Sequence, residues 1–126
     1  MDCLESSIGY NEFKQRMRGR LDNQRVPLSG TLELNFRCNL RCKHCYVSHG
    51  HTGLPGLKEL SLSEIQRILD EITDAGCLWL LLTGGEILVR RDFAEIYRYA
   101  NRKGLLLTLV TNATLLNHRL VRLLAA

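Results

Sequence analysis

Between Thr31 and Phe36 the chain alternates apolar and polar residues, Thr31-Leu32-Glu33-Leu34-Asn35-Phe36, which is the two-residue period of a half-buried strand. Further on, the period changes. Ser61 with Glu64 three positions later is a capping-box pattern, and Leu62, Ile65, Ile68, Leu69, Ile72 and Ala75 share one face of the helix that follows. Gly76 stands where a helix C-cap glycine is expected. Cys77 to Thr83 predicts a second strand. Its centre, Leu78-Trp79-Leu80-Leu81-Leu82, is apolar at every position, as in a strand buried on both faces of a parallel sheet. Asp92 and Glu95 mark another helix start, Phe93, Ile96, Tyr97 and Ala100 form its stripe, and Gly104 ends it. Leu105 to Thr111 predicts a third strand of the same continuous type, and Leu116, Leu120, Leu123 and Leu124 predict a last helix. Ahead of this rhythm, Glu12 to Leu21 predicts a short helix, followed by a loop at Val26-Pro27-Leu28-Ser29-Gly30.

The order is therefore βαβαβα, an α/β fold with a parallel sheet and right-handed crossovers. A closed (β/α)8 barrel needs about 250 residues. Three units in 126 residues predict either a small open sheet or the first part of a truncated barrel, and the stop at Leu124-Ala125-Ala126 favours truncation. Two segments are expected: a basic leader over 1–30 and a core domain over 31–126.

Composition narrows the class without naming it. With 45% hydrophobic and 24% charged residues the chain is of ordinary globular type. Its longest apolar run is six residues, Cys77 to Leu82, too short for the roughly 20 that span a bilayer. Asp2 and Glu5 stand where a signal peptide would be basic and then apolar, so a cytoplasmic protein without a membrane anchor is expected. The net charge of +4 is mild, and part of it lies in Lys14, Arg16, Arg18, Arg20 and Arg25. That stretch reads as a solvated face or as a docking surface for an acidic peptide or nucleic acid. No aromatic residue interleaves with its arginines, which argues against nucleic acid.

Candidate chemistry concentrates at the C-terminal ends of the three predicted strands, where parallel α/β folds bind ligands. There are five cysteines, and Cys38, Cys42 and Cys45 fall in the loop after the first strand. Three thiolates on one tight loop suit an iron–sulfur cluster, zinc or Cu(I), and zinc would draw a fourth ligand from His44, His49 or His51. A cubane cluster held by three cysteines keeps one iron open for a substrate or cofactor. Thr83-Gly84-Gly85-Glu86 ends the second strand. Its glycines admit close backbone approach and its carboxylate suits an ammonium group, although a Gly-Gly turn also serves as a plain tight connection. Thr111-Asn112 ends the third strand, and Asn112 either bonds a cofactor or holds its own turn. Trp79 reads as core, Cys77 as a small buried hydrophobe, and His49 and His51 as exposed residues of a Gly-rich loop running through Gly56.

Taken together, Cys38-Asn39-Leu40-Arg41-Cys42-Lys43-His44-Cys45-Tyr46 and Thr83-Gly84-Gly85-Glu86, with one helix between them, resemble the C-x3-C-x2-C and GGE motifs of the radical S-adenosylmethionine (SAM) superfamily. The resemblance covers residues 31 to 126 and implies the opening part of a partial (β/α)6 TIM-like barrel. It implies that Cys38, Cys42 and Cys45 ligate a [4Fe–4S] cluster whose open iron chelates SAM. It further implies that Gly84, Gly85 and Glu86 hold the SAM amino group, with His44 near the adenine and Asn112 as a third-strand cofactor contact. Implied chemistry is reductive cleavage of SAM to methionine and a 5′-deoxyadenosyl radical that abstracts hydrogen from a substrate, with the electron supplied by a flavodoxin or ferredoxin. The style of the motifs is similar to members that modify peptides and carry an auxiliary-cluster (SPASM) region, which implies a peptide substrate. Ile87 and Ala113 depart from the proline and glycine common at those positions. The alternative is a non-catalytic zinc or iron–sulfur binding module on a small α/β scaffold.

Overall fold

The computed structural model describes residues 9–21, 25–46 and 58–125. A helix, α1 (Tyr10–Leu21), precedes β1 (Ser29–Glu33), α2 (Leu62–Asp74), β2 (Trp79–Thr83), a 3-10 turn (Ile87–Val89), α3 (Phe93–Arg102), β3 (Leu106–Leu109) and α4 (His118–Leu124). The strands form one parallel sheet in the order β1-β2-β3, with Leu32 opposite Leu82 and Leu82 opposite Leu109. This is the open α/β sheet that alternating strands and helices predicted. Cys3, His49, His51 and Gly56 lie outside the described residues.

Local signals account for α2. Ser61 caps it, its side chain accepting the Glu64 N–H while the Glu64 carboxylate takes the Ser61 N–H at 2.7 Å. The helix gives way at Gly76, whose φ of +95° is a left-handed value that a side chain resists. Ile65 and Leu69 pack with Ile96 and Ala100 of α3 against Leu80 and Leu82, and this set, with Phe93, Ile87 and Leu105, forms the core. At the rim, the Asp70 carboxylate of α2 accepts from the Tyr99 hydroxyl and pairs with Lys103 at 2.5 Å. Hydrogen bonding to Lys103, then to Tyr99, holds the Asp70 carboxyl below its ordinary range.

Several expectations are corrected. β1 opens at Ser29, inside the segment expected to be leader and loop, because the Leu28 carbonyl already accepts the Leu78 and Trp79 N–H groups. It closes at Glu33 rather than Phe36, since Asn35 and Arg37 bond to the turn after β2 instead of to its strand. The expectation that β2 and β3 are buried on both faces fails. Helices α2 and α3 cover only the face carrying Leu80 and Leu82, so Leu106 on the other face is 45% exposed. Trp79 is half-buried rather than core: Tyr10 and Phe13 of α1 meet its ring edge-on at 6.2 and 6.1 Å. Its indole N–H is shielded from water with no protein acceptor. α3 starts where Asp92 predicted, but Asp92 makes no capping bond, because its carboxylate is taken by Arg90. α4 begins at His118, two residues after Leu116, capped by the Asn117 side chain.

Cys77 is buried, as expected of a small hydrophobe, and desolvation pushes its thiol up from its ordinary value. No helix among the described residues is long and apolar enough to cross a membrane.

Candidate functional site

Beyond Glu33 the chain does not leave the sheet at once. Leu34 N–H donates to the Thr83 carbonyl at 2.8 Å, Gly85 N–H to the Asn35 carbonyl at 3.0 Å, and Glu86 N–H to the Arg37 carbonyl at 2.8 Å. Residues 34–37 thus run against the turn Gly84–Glu86. The fit leaves no room for a side chain at either glycine of that turn. A Cβ at Gly84, whose φ is +148°, would fall 2.5 Å from the Asn35 carbonyl oxygen, and one at Gly85 would fall 2.5 Å from that of Arg37. The close approach expected of these glycines is therefore made to the chain's own backbone at the entrance of the cysteine loop. Asn35 seals the junction. Its amide donates to the Glu86 carbonyl at 2.9 Å, and its buried Oδ1, without a hydrogen-bond donor, rests against Gly84.

Glu86 turns inward. It is fully buried, and its carboxylate accepts from Leu88 N–H at 2.8 Å, the Thr111 hydroxyl at 2.8 Å and Asn112 N–H at 2.7 Å. It caps the 3-10 turn and pins the end of β3 to the end of β2. A buried carboxylate is costly unless its lone pairs are filled, and here three donors fill them.

The neck of the cysteine loop is closed by charge. Arg37 forms a two-point pair with Glu59 at 2.8 and 2.9 Å. Arg90, only 6% exposed, donates to the Leu34 carbonyl at 2.8 Å and the Leu60 carbonyl at 3.0 Å, so one guanidinium binds the chain on both sides of the loop. Asp92 balances it through both oxygens, at 3.0 and 2.7 Å. Hydrogen bonds from these arginines hold the Glu59 and Asp92 carboxyls below their ordinary values.

Cys38 is half-buried, and Cys42 and Cys45 are exposed. Cys42 and Cys45 flank a turn closed by the Cys45 N–H to Cys42 carbonyl bond at 3.2 Å, with His44 exposed on it. Among the described residues no three His, Cys, Asp or Glu side chains gather on a single ion position. His49 and His51, two of the further zinc ligands the sequence offered, lie outside the described residues. The donor set, three cysteines on one loop with two N–H groups aimed at Cys38, fits a cubane iron–sulfur cluster. Tyr46, just past Cys45, reaches back to the Thr83 hydroxyl at 3.2 Å.

The third strand end joins the same face. Asn112 Nδ2 lies 3.0 Å from Asn39 Oδ1, and the Asn39 amide donates to the Thr114 hydroxyl at 2.8 Å. The three clusters predicted at the strand ends therefore meet. Not singled out as site residues in the sequence were Asn35, Asn39, Arg37, Glu59, Arg90, Asp92 and Thr114. Asn35 had a local signal as a polar position continuing the alternation of β1, and Asp92 was read only as a helix start.

The model of the radical SAM superfamily matches residues 32–126. Among curated relatives, the antilisterial bacteriocin subtilosin biosynthesis protein AlbA of Bacillus subtilis is 35% identical over 94% of this chain and 23% of its own length. The PqqA peptide cyclase of Rhodopseudomonas palustris is 38% identical over 79% of this chain and 26% of its own length. The chain thus spans about a quarter of the length of these relatives. In structure it is similar to Streptococcus suis SuiB bound to its precursor peptide SuiA, with a TM-score of 0.70 and 23% identity over 99% of this chain and 29% of that one. That likeness supports the fold. With the match covering residues 32–126, the chain belongs to the radical SAM superfamily.

Proposed function

We propose that this chain forms the cofactor-activating part of a radical SAM enzyme that acts on a peptide. The reading is carried by one observation beyond family membership: the cysteine loop, the Gly84–Glu86 turn and the Asn112 turn are bonded to one another on one face of the sheet. In this reading Cys38, Cys42 and Cys45 hold a [4Fe–4S] cluster. When bound, such a cluster supplies an open iron for the amino and carboxylate groups of SAM, and an electron, passed on from a flavodoxin- or ferredoxin-type reductant, that cleaves SAM to methionine and a 5′-deoxyadenosyl radical for hydrogen abstraction. The backbone of Gly84 and Gly85 receives the SAM amino group. Glu86 serves it indirectly, by fixing the turn from within. His44 and Asn112 complete the cofactor's surroundings. Peptide as the substrate class is supported by the relatives, two of which are named for bacteriocin biosynthesis and peptide cyclisation.

The test is anaerobic reconstitution of the chain with iron and sulfide, reduction, and electron paramagnetic resonance with and without SAM. A cluster signal that changes on adding SAM is expected, and it should vanish in Cys42→Ala. A signal that ignores SAM would reduce the chain to a cluster-binding module, and uptake of zinc without a cluster would replace the reading altogether.

A further inference from the structure

The side chain of Asn112 has an orientation that chemistry alone decides. Its Oδ1 faces the Thr114 backbone N–H at 3.0 Å and the Thr114 hydroxyl at 2.7 Å. A backbone N–H can only donate, so the atom facing it must be the amide oxygen. The NH2 group consequently points the other way, into the cysteine loop. There it has two hydrogens and two acceptors: Asn39 Oδ1 at 3.0 Å and Cys38 Sγ at 3.9 Å. Cys38 Sγ also receives the Leu40 N–H at 3.4 Å, so two donors converge on one sulfur. The turn that presents Asn112 is held hard. Glu86 takes its N–H at 2.7 Å, the Thr111 hydroxyl accepts the Ala113 N–H at 3.0 Å, and Ala113 is held at φ +62°, a left-handed value few alanines adopt. A side chain fixed through its backbone, its oxygen and one hydrogen has little freedom left for the other hydrogen.

We infer that Asn112 is a positioning residue for the cluster rather than only a neighbour of SAM: it donates an N–H···S bond to Cys38 Sγ, orients that ligand and withdraws charge from it. Hydrogen bonds to ligating sulfurs stabilise the more negative, reduced state and so raise a cluster's reduction potential. The inference rests on the cluster reading of Cys38, Cys42 and Cys45.

Two variants test it. Asn112→Asp is nearly isosteric and keeps an oxygen toward Thr114, but it sets an anionic oxygen against the sulfur. Asn112→Ala removes the donor without adding charge. Each chain is reconstituted and its midpoint potential measured by a redox titration followed by electron paramagnetic resonance. The potential is expected to fall in the alanine variant and further in the aspartate variant, with iron content unchanged. Potentials equal to that of the parent chain in both would overturn the inference and leave the cluster reading intact. Failure of the parent chain itself to take up a cluster would overturn both. Should the variants not fold, the parent carries the test alone, with asparagine labelled by 15N at its side-chain nitrogen. A 15N coupling in the pulsed spectrum of the reduced cluster supports the bond, and its absence refutes it.

Discussion

Replacing Glu86 by Gln should destabilise the chain even with no cofactor in solution. In the parent, one carboxylate oxygen takes Leu88 N–H and the Thr111 hydroxyl, and the other takes Asn112 N–H. Gln has one oxygen of the same reach. Placed toward Leu88 and Thr111, it turns its NH2 against the Asn112 N–H, leaving buried donors facing each other; an unmet buried donor costs about 1–3 kcal/mol. The two bonds that survive lose their charge, which takes roughly half the strength of each. Removing a buried carboxylate returns part of its desolvation cost. The net expected loss is about 2–3 kcal/mol, a large share of the roughly 5–15 kcal/mol that holds a domain together. Urea unfolding of the metal-free chain at pH 7, followed by far-UV circular dichroism, measures it. A loss under about 0.5 kcal/mol, or one seen only when SAM is present, would mean that the carboxylate works on the ligand and not on the frame.

Gly85→Ala sets a Cβ 2.5 Å from the Arg37 carbonyl oxygen and 2.7 Å from that of Phe36. Both neighbours are backbone, so a loss of about 1–3 kcal/mol is expected in the same urea assay, and a neutral result would refute the packing role of the glycine. The neck ion pairs predict an acid limit. Glu59 and Asp92 have carboxyls held below their ordinary values of 4.5 and 3.8, so the stability they confer is complete above about pH 4.5 and drains away as pH falls through the lower folded-state values. The urea midpoint should be flat from pH 7 to 5 and drop below 4.5, less steeply in Arg37→Met; a midpoint level down to pH 3 would exclude these pairs as the cause.

What could be read from the sequence was what neighbouring residues decide among themselves. The Ser61–Glu64 capping box, the glycine that ends α2 and the βαβ order all come from spans of a few residues, and the parallel order alone was enough to bring three polar clusters to one end of the sheet. What could not be read depends on distant partners. Arg90 bonds carbonyls 56 and 30 positions away, at Leu34 and Leu60, and nothing in Ser-free, apolar surroundings such as Ile87-Leu88-Val89 hints at it. The mostly apolar sequence of β3 suggested burial on both faces, yet burial is set by what packs there, and α2 and α3 pack on one face only. Glu86 posed the same difficulty: the sequence left open whether this carboxylate meets an ammonium group or serves its own turn, and the donors that fill it include Thr111 and Asn112, 25 and 26 positions later.

These contacts divide the site into a frame and a tip. The frame comprises Asn35, Glu86, Arg90, the Arg37–Glu59 pair and the Asn112 turn, and its bonds exist without any ligand. The tip, Cys42 to Cys45, is exposed and joined across its own short turn. Cys38 stands between them, half-buried and bonded by Leu40 and Asn112. Such a division keeps the cost of ordering a bound group small, because only the tip has to settle around it. It also separates the consequences of substitution. Changes in the frame are expected to alter the stability of the empty chain and to affect cofactor chemistry through it, whereas Cys42→Ala at the exposed tip is expected, on the proposed reading, to remove binding and leave unfolding of the empty chain almost untouched.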